Sequence, residues 1–145
     1  MPEAEAPNAQ PFTMPVERGK IREFAVATGS ESAQYLADPH PVIPPTFLRA
    51  AHFWTPPGTR LMPPDVELDM RRVLHGEQEY TFFGPPPRAG ASLTVTQRVE
   101  SVATKTGKRG GEMLIVVMVD DFTDEAGKLV AQGRQTLIQT GKAPQ

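Results

Sequence analysis

His75 is the side chain in this sequence best suited to chemistry: imidazole changes charge near neutral pH, and Glu77 and Gln78 follow as polar companions. A second reading has His75 opening a strand and satisfying a hydrogen bond at a sheet edge. No Asp stands beside it in sequence to orient the ring. His40 lies between Pro39 and Pro41 and reads as loop. His52 precedes Phe53 and Trp54 and reads as exposed or packing. No two His stand at metal-ligand spacing, so no metal site is expected. Asp38 could serve as a carboxylate base, although an Asp before a proline more often starts a turn.

Two further groups carry double readings. Phe47, Phe53 and Trp54, with Leu48 and Leu61, either form core beneath a long loop or line a hydrophobic channel. Lys108, Arg109, Gly110 and Gly111 either make a hairpin turn with solvated charges or a backbone that a ligand can approach closely. In the latter case Arg109 or Lys105 could meet a phosphate. Arg60, Arg71 and Arg72 could do the same.

Composition narrows what these groups can be asked to do. The chain has 145 residues, no Cys and a net charge of −2. A thiolate nucleophile, a disulfide framework and a Cys-ligated metal are therefore out. No basic face is available for nucleic acid. Met113–Val119 is the longest apolar run, far below the roughly 20 residues that span a bilayer. The N-terminus is acidic and Pro-bearing, unlike a signal peptide. The expectation is a cytoplasmic protein with no membrane or nucleic-acid partner.

The elements that must position these residues follow from pattern. Residues 1–11 and 141–145 read as flexible tails around one domain over 12–140. Ile21, Phe24, Ala25 and Thr28 share one helical stripe and Gly29 follows as a helix-ending residue, which predicts a helix over about 17–28. A second short helix is expected from Thr46 toward His52, inside a Pro-rich loop. From Arg72 onward four strands are expected, at about 72–83, 91–104, 110–123 and 128–139, with antiparallel hairpins between the last three. Met113–Val119 is apolar on both faces and should be central in the sheet.

This arrangement, together with Phe24-Ala25-Val26-Ala27-Thr28-Gly29, Pro44-Pro45-Thr46-Phe47, Leu74-His75-Gly76-Glu77-Gln78-Glu79-Tyr80 and Lys108-Arg109-Gly110-Gly111, resembles the MaoC-like hydratase/dehydratase family. The resemblance is to its N-terminal-type branch, which includes non-catalytic subunits of mycobacterial (3R)-hydroxyacyl-ACP dehydratases and of steroid enoyl-CoA hydratases. It implies an α+β single hotdog fold, a curved antiparallel sheet wrapped around one central helix. Catalytic members carry Gly-Asp-x-Asn-Pro-x-His after the first helix, and the Asp and His act on water and a proton beside a thioester. Here Ser30 stands at the Asp position and Tyr35 at the His position. Neither hydroxyl is the base that chemistry needs.

The resemblance therefore implies a non-catalytic, acyl-pocket-forming subunit of an (R)-specific enoyl-thioester hydratase or 3-hydroxyacyl dehydratase, with no cofactor. A catalytic MaoC-like partner would supply Asp and His, in a heterodimer or heterotetramer; self-association as a homodimer is the other possibility. The ligand would be an acyl-CoA or acyl-ACP thioester. Thr46, Phe47, Phe53 and Trp54 would contact its acyl part, with His75, Gly76 and Gln78 beside them. Arg109, Gly110 and Gly111 would let the pantetheine arm pass. Two alternatives remain at this level. One is a self-sufficient homodimeric enoyl-CoA hydratase or thioesterase with His75 or Asp38 as a relocated base. The other is an acyl-thioester-binding protein without turnover.

Overall fold

The computed structural model describes residues 9–108 and 111–141. Of the sequence-based expectations, Arg109, Gly110 and the tail segments 1–8 and 142–145 lie outside the described residues.

Helix α1 spans Arg18–Ala27 and buries Ile21 and Ala25, two members of the stripe read from the sequence. Its end is closed as the Thr28-Gly29 pair implies. Gly29 takes φ 75, its N–H reaches the Val26 carbonyl at 3.0 Å, and the Ser30 N–H reaches that of Ala25 at 2.8 Å. This is the Schellman pattern, in which positive φ lets the next two amides turn back on the last carbonyls. A single-turn helix α2, Ala33–Leu36, follows; nothing in the local pattern pointed to it.

The helix expected from Thr46 is a 3-10 helix, Phe47–Trp54. Its first bonds run three residues back, from Phe47 N–H to the Pro44 carbonyl and from Arg49 N–H to that of Thr46. Phe47, Leu48, Ala50 and Ala51 are all buried. Cover for the sheet is thus shared, and this element buries four of its eight residues against two of ten in α1.

Five strands form one antiparallel sheet in the order β1-β3-β4-β5-β2. They are β1 Phe12–Pro15, β2 Val73–Phe82, β3 Ser92–Thr106, β4 Glu112–Thr123 and β5 Leu129–Gln139. The apolar β4 is central, as expected of a strand covered on both faces. β1 was not anticipated. It is four residues long, sits at the edge and ends at Pro15, a place where the missing N–H removes no ladder bond.

Register builds the face beneath the 3-10 helix in rows. Phe12, Val95, Phe122, Ala131 and Phe82 stand side by side across all five strands. They join Met14, Ile21, Phe47, Leu48 and Leu93 in the core. Phe47 also meets Phe24 edge to face, with ring centroids 5.5 Å apart. The next row along is Gln97, Asp120, Gly133 and Tyr80. After it come Val99, Met118, Gln135 and Gln78. A bulge between Val99 and Ser101 and another between His75 and Glu77 then keep Val102, Val116, Leu137 and His75 in register. Such bulges bend and twist their strands. The core therefore occupies one end of the sheet, and the polar rows lie beyond it.

Candidate functional site

The space beyond the core is a cleft of about 470 Å³ between the sheet and the segment that crosses it. Arg49 and His52 of the 3-10 helix border it, with Thr55, Thr59 and Leu61 from the following loop. Gln97, Met118, Asp120, Gln135 and Leu137 form its floor, and Met70, Val73 and His75 its far rim. Apolar and polar groups are mixed in this lining, so the cleft can hold an aliphatic body and hydrogen-bond a polar group carried on it.

Asp120 is the charge in the floor. Its neighbour Asp121 shows why that is unusual. Successive strand residues face opposite sides, and Asp121 points the other way, accepting from Gln132 Nε2 at 2.7 Å and pairing with Arg98. Asp120 instead accepts from Gln97 Nε2 at 3.0 Å. Burial pushes its carboxyl above the usual carboxylate range; the Gln97 hydrogen bond and the Arg49 guanidinium pull against that, and Asp121 adds repulsion. Tyr80, in the same row, packs against the core across Gly133, where a Cβ would lie 3.2 Å from Tyr80 Cε1. Burial lifts its hydroxyl to about 12 against the pull of Arg49. Tyr80 Oη and Gln78 Oε1 are buried with no hydrogen-bond partner among the described residues.

The loop over the cleft is tied down at its far end. Asp69 caps the turn Met70–Arg72 by accepting from Arg71 N–H at 3.1 Å, and it pairs with the Arg71 guanidinium at 2.9 Å and with that of Arg72 at 3.3 Å. The side-chain and backbone hydrogen bonds from Arg71 hold the Asp69 carboxyl down at about 2. The Asp69 N–H reaches Gln139 Oε1 at 2.6 Å, and Arg72 Nη1 reaches the Thr140 carbonyl at 3.2 Å. Arg71 and Arg72 are therefore engaged in anchoring β2 and its approach.

The residues singled out from sequence scatter more widely. His75 lines the cleft and is exposed. Gly76 sits in the β2 bulge, where a Cβ would lie 2.8 Å from Ile138 Cδ1. Gln78 donates to the Arg134 carbonyl at 3.3 Å. Thr46 precedes the 3-10 helix and is exposed, whereas Phe47 is wholly buried in the core. Trp54 packs partly buried against that core. Phe53 is 64% exposed, with its ring centroid 4.0 Å from that of His52 and Lys20 Nζ 4.8 Å from it. Gly111, at φ 93, closes the β3–β4 turn by accepting from Gly107 N–H.

Ser30, Tyr35 and Asp38 stand apart from the cleft lining. Ser30 Oγ accepts from Ser32 N–H at 3.4 Å, and Tyr35 packs on the core. Asp38 accepts from His40 N–H at 2.8 Å in a turn and pairs with Arg88 at 3.7 Å. Among the described residues no three His, Asp or Glu side chains gather where a metal could be held, and no helix is long and apolar enough to cross a membrane.

Sequence reasoning passed over Asp120, Gln97, Tyr80 and Arg49. One signal was available: adjacent Asp120 and Asp121 follow a strand apolar on both faces, so one carboxylate must face the covered side.

Comparison with known proteins agrees with this architecture. Residues 6–133 match the family model described as the FAS1-like dehydratase domain region. A UPF0336 protein of Streptomyces coelicolor is 35% identical over 138 residues, spanning 88% of this chain and 87% of the relative. One from Clavibacter michiganensis is 34% identical over 144 residues, spanning 93% and 90%. Among solved structures, the HadBC (3R-hydroxyacyl-ACP dehydratase) complex from Mycobacterium tuberculosis superposes with a TM-score of 0.66 at 21% identity, covering 93% of this chain and 98% of that one. The ChsH1–ChsH2 complex from the same organism gives 0.69 at 18%, covering 94% and 85%. At those identities the structural likeness is one of fold. The sheet order, the row-built cleft and the match over residues 6–133 together place this chain in the FAS1-like dehydratase domain family, with the hotdog fold of the MaoC-like dehydratases.

Proposed function

We propose that this chain is a non-catalytic subunit that shapes the acyl pocket of an (R)-specific enoyl-thioester hydratase or 3-hydroxyacyl dehydratase, in cytoplasmic fatty-acyl or steroid side-chain metabolism. A catalytic MaoC-like hotdog partner adds or removes water across C2 and C3 of a CoA- or acyl-carrier-bound thioester. The observation that carries this reading is the fate of the two positions where catalytic relatives hold Asp and His. Ser30 is engaged in the turn after α1, and Tyr35 packs against the core; neither borders the cleft. Asp38, the nearby carboxylate, is occupied by its own turn and by Arg88.

The remaining groups suit a wall better than a reaction centre. His75, Gly76 and Gln78 all lie in β2, a ten-residue edge strand open to pairing with a second hotdog. The β3–β4 turn with Gly111 would let a pantetheine arm run close to backbone.

The test compares hydration of short, long and steroid-like enoyl-CoA thioesters by the purified chain and by the chain co-expressed with a catalytic MaoC-like partner. Turnover only in the complex, unchanged by His75→Ala, is the expected result. Turnover by the chain alone, abolished by His75→Ala or Asp38→Ala, would overturn the reading.

A further inference from the structure

The rows of the sheet change character abruptly. Beside the wholly apolar row of Phe12, Val95 and Phe122 stands one carrying Gln97, Asp120 and Tyr80. A pocket for plain alkyl chains would be better served by extending the first row, because each polar group placed there loses water and needs a partner. Behind this row Tyr80 Oη and Gln78 Oε1 are buried without partners among the described residues and do not border the cleft. The Arg49 guanidinium borders the cleft and makes no hydrogen bond or ion pair among the described residues. Asp120 has its hydrogen bond from Gln97.

We infer that this row, with Arg49 above it, is a subsite for a neutral oxygen, a hydroxyl or oxo group, carried on the body of the acyl chain. The inference rests on the acyl-pocket reading above and names the substrate class of that pocket. The charges argue for a neutral group. Asp120 would repel a carboxylate or phosphate, and Arg49 would repel an ammonium. A hydroxyl both donates and accepts: it can accept from Arg49 or Gln97 and donate to Asp120, all of which border the cleft. An oxo group uses only the donors. Leu61, Met70, Val73, Met118 and Leu137 supply the apolar walls along which the chain would lie.

The test titrates the purified full chain, by calorimetry, with dodecanoyl-CoA and with its mid-chain hydroxy, mid-chain oxo and ω-hydroxy forms. At least one oxygenated probe should bind about tenfold more tightly than dodecanoyl-CoA, the effect of one well-placed hydrogen bond with its unpaired groups satisfied. Gln97→Leu and Asp120→Asn, each checked for folding by circular dichroism, should reduce that preference, read as the ratio of the oxygenated probe to dodecanoyl-CoA, to about twofold or less. Equal binding of all probes, a preference that survives both substitutions, or no binding by the chain alone or with its partner would overturn the subsite. Hydratase turnover by the lone chain would overturn the subunit reading and leave the discrimination between probes intact, so the two failures are distinguishable.

Discussion

Replacing Tyr80 with Phe removes one oxygen and leaves the ring against Gly133 and the core, so it isolates the unpaired hydroxyl. A buried polar group without a partner is destabilising by about 1–3 kcal/mol, and Tyr80 Oη is such a group. The ring is only partly buried, so the lower end applies: Tyr80→Phe should raise stability by about 1 kcal/mol at neutral pH. The advantage should also grow with pH. The hydroxyl is lifted to about 12 in the folded chain, whereas an unfolded tyrosine titrates near 10. Below the unfolded value both states hold the proton and nothing is lost. Above it the unfolded chain sheds a proton that the folded chain retains, so wild-type stability falls as pH rises toward about 12. Two pKa units correspond to at most about 2.7 kcal/mol, and solvent screening of a partly exposed ring brings this to about 1 kcal/mol. Urea unfolding of both proteins at about pH 8 reads the first quantity, and at about pH 11, one pH unit above the unfolded value, about half of the second. A variant less stable than wild type by more than about 1 kcal/mol at neutral pH would mean that the hydroxyl is satisfied after all. A gap that stays constant between the two pH values would refute the raised pKa.

Phe47→Ala should cost about 3–5 kcal/mol in urea unfolding, because the side chain is wholly buried and stacked edge to face on Phe24; a loss below about 1 kcal/mol would take it out of the core. Gly76→Ala should destabilise by about 1 kcal/mol as its Cβ meets the tip of Ile138. Ile138→Val shortens that tip, so the double variant should recover most of the loss, and strict additivity would sink the steric account. Asp69→Asn should weaken the anchored turn at neutral pH. The folded carboxyl is held down at about 2, so its contribution is present above the unfolded value near 3.8 and disappears as pH falls toward about 2; thermal melts of wild type and variant should therefore converge in acid. Asp120 is the opposite case. Its carboxyl is raised, so stability is lost as pH rises through the folded pKa, and Asp120→Asn should be neutral to stabilising at neutral pH and lose that advantage in acid.

Most of the scaffold was legible in the residues because its signals are local. The stripe of Ile21, Phe24 and Ala25 and the closing Thr28-Gly29 mark α1, found at Arg18–Ala27. Alternation and turn residues mark the four long strands to within about two residues. The central place of β4 follows from apolar residues on both its faces. The elements that escaped, β1 and α2, are four residues each. Segments that short carry too little periodicity to be told from loop, and β1 exists only because Ser92–Val95 offers it an edge to pair with.

The cleft belongs to the other category. Strand period says that Asp120 and Asp121 face opposite sides, and it stops there. Which of the two is covered depends on where the 3-10 helix lies, and that helix is held over the sheet by the burial of Phe47 and Leu48, side chains that read equally well as channel or core in the sequence. Gln97, Asp120 and Tyr80 come from three strands and become neighbours only through cross-strand register, which the bulges at Val99 and His75 shift by one residue each further along the sheet. Types and spacing along the chain thus determined the elements, and the absence of an acid–base pair after α1 followed from Ser30 and Tyr35 once the family resemblance was drawn. Register, bulges and the placing of one short helix decided which polar groups share a cleft, because those contacts link residues far apart in sequence and leave no periodic trace within any single segment.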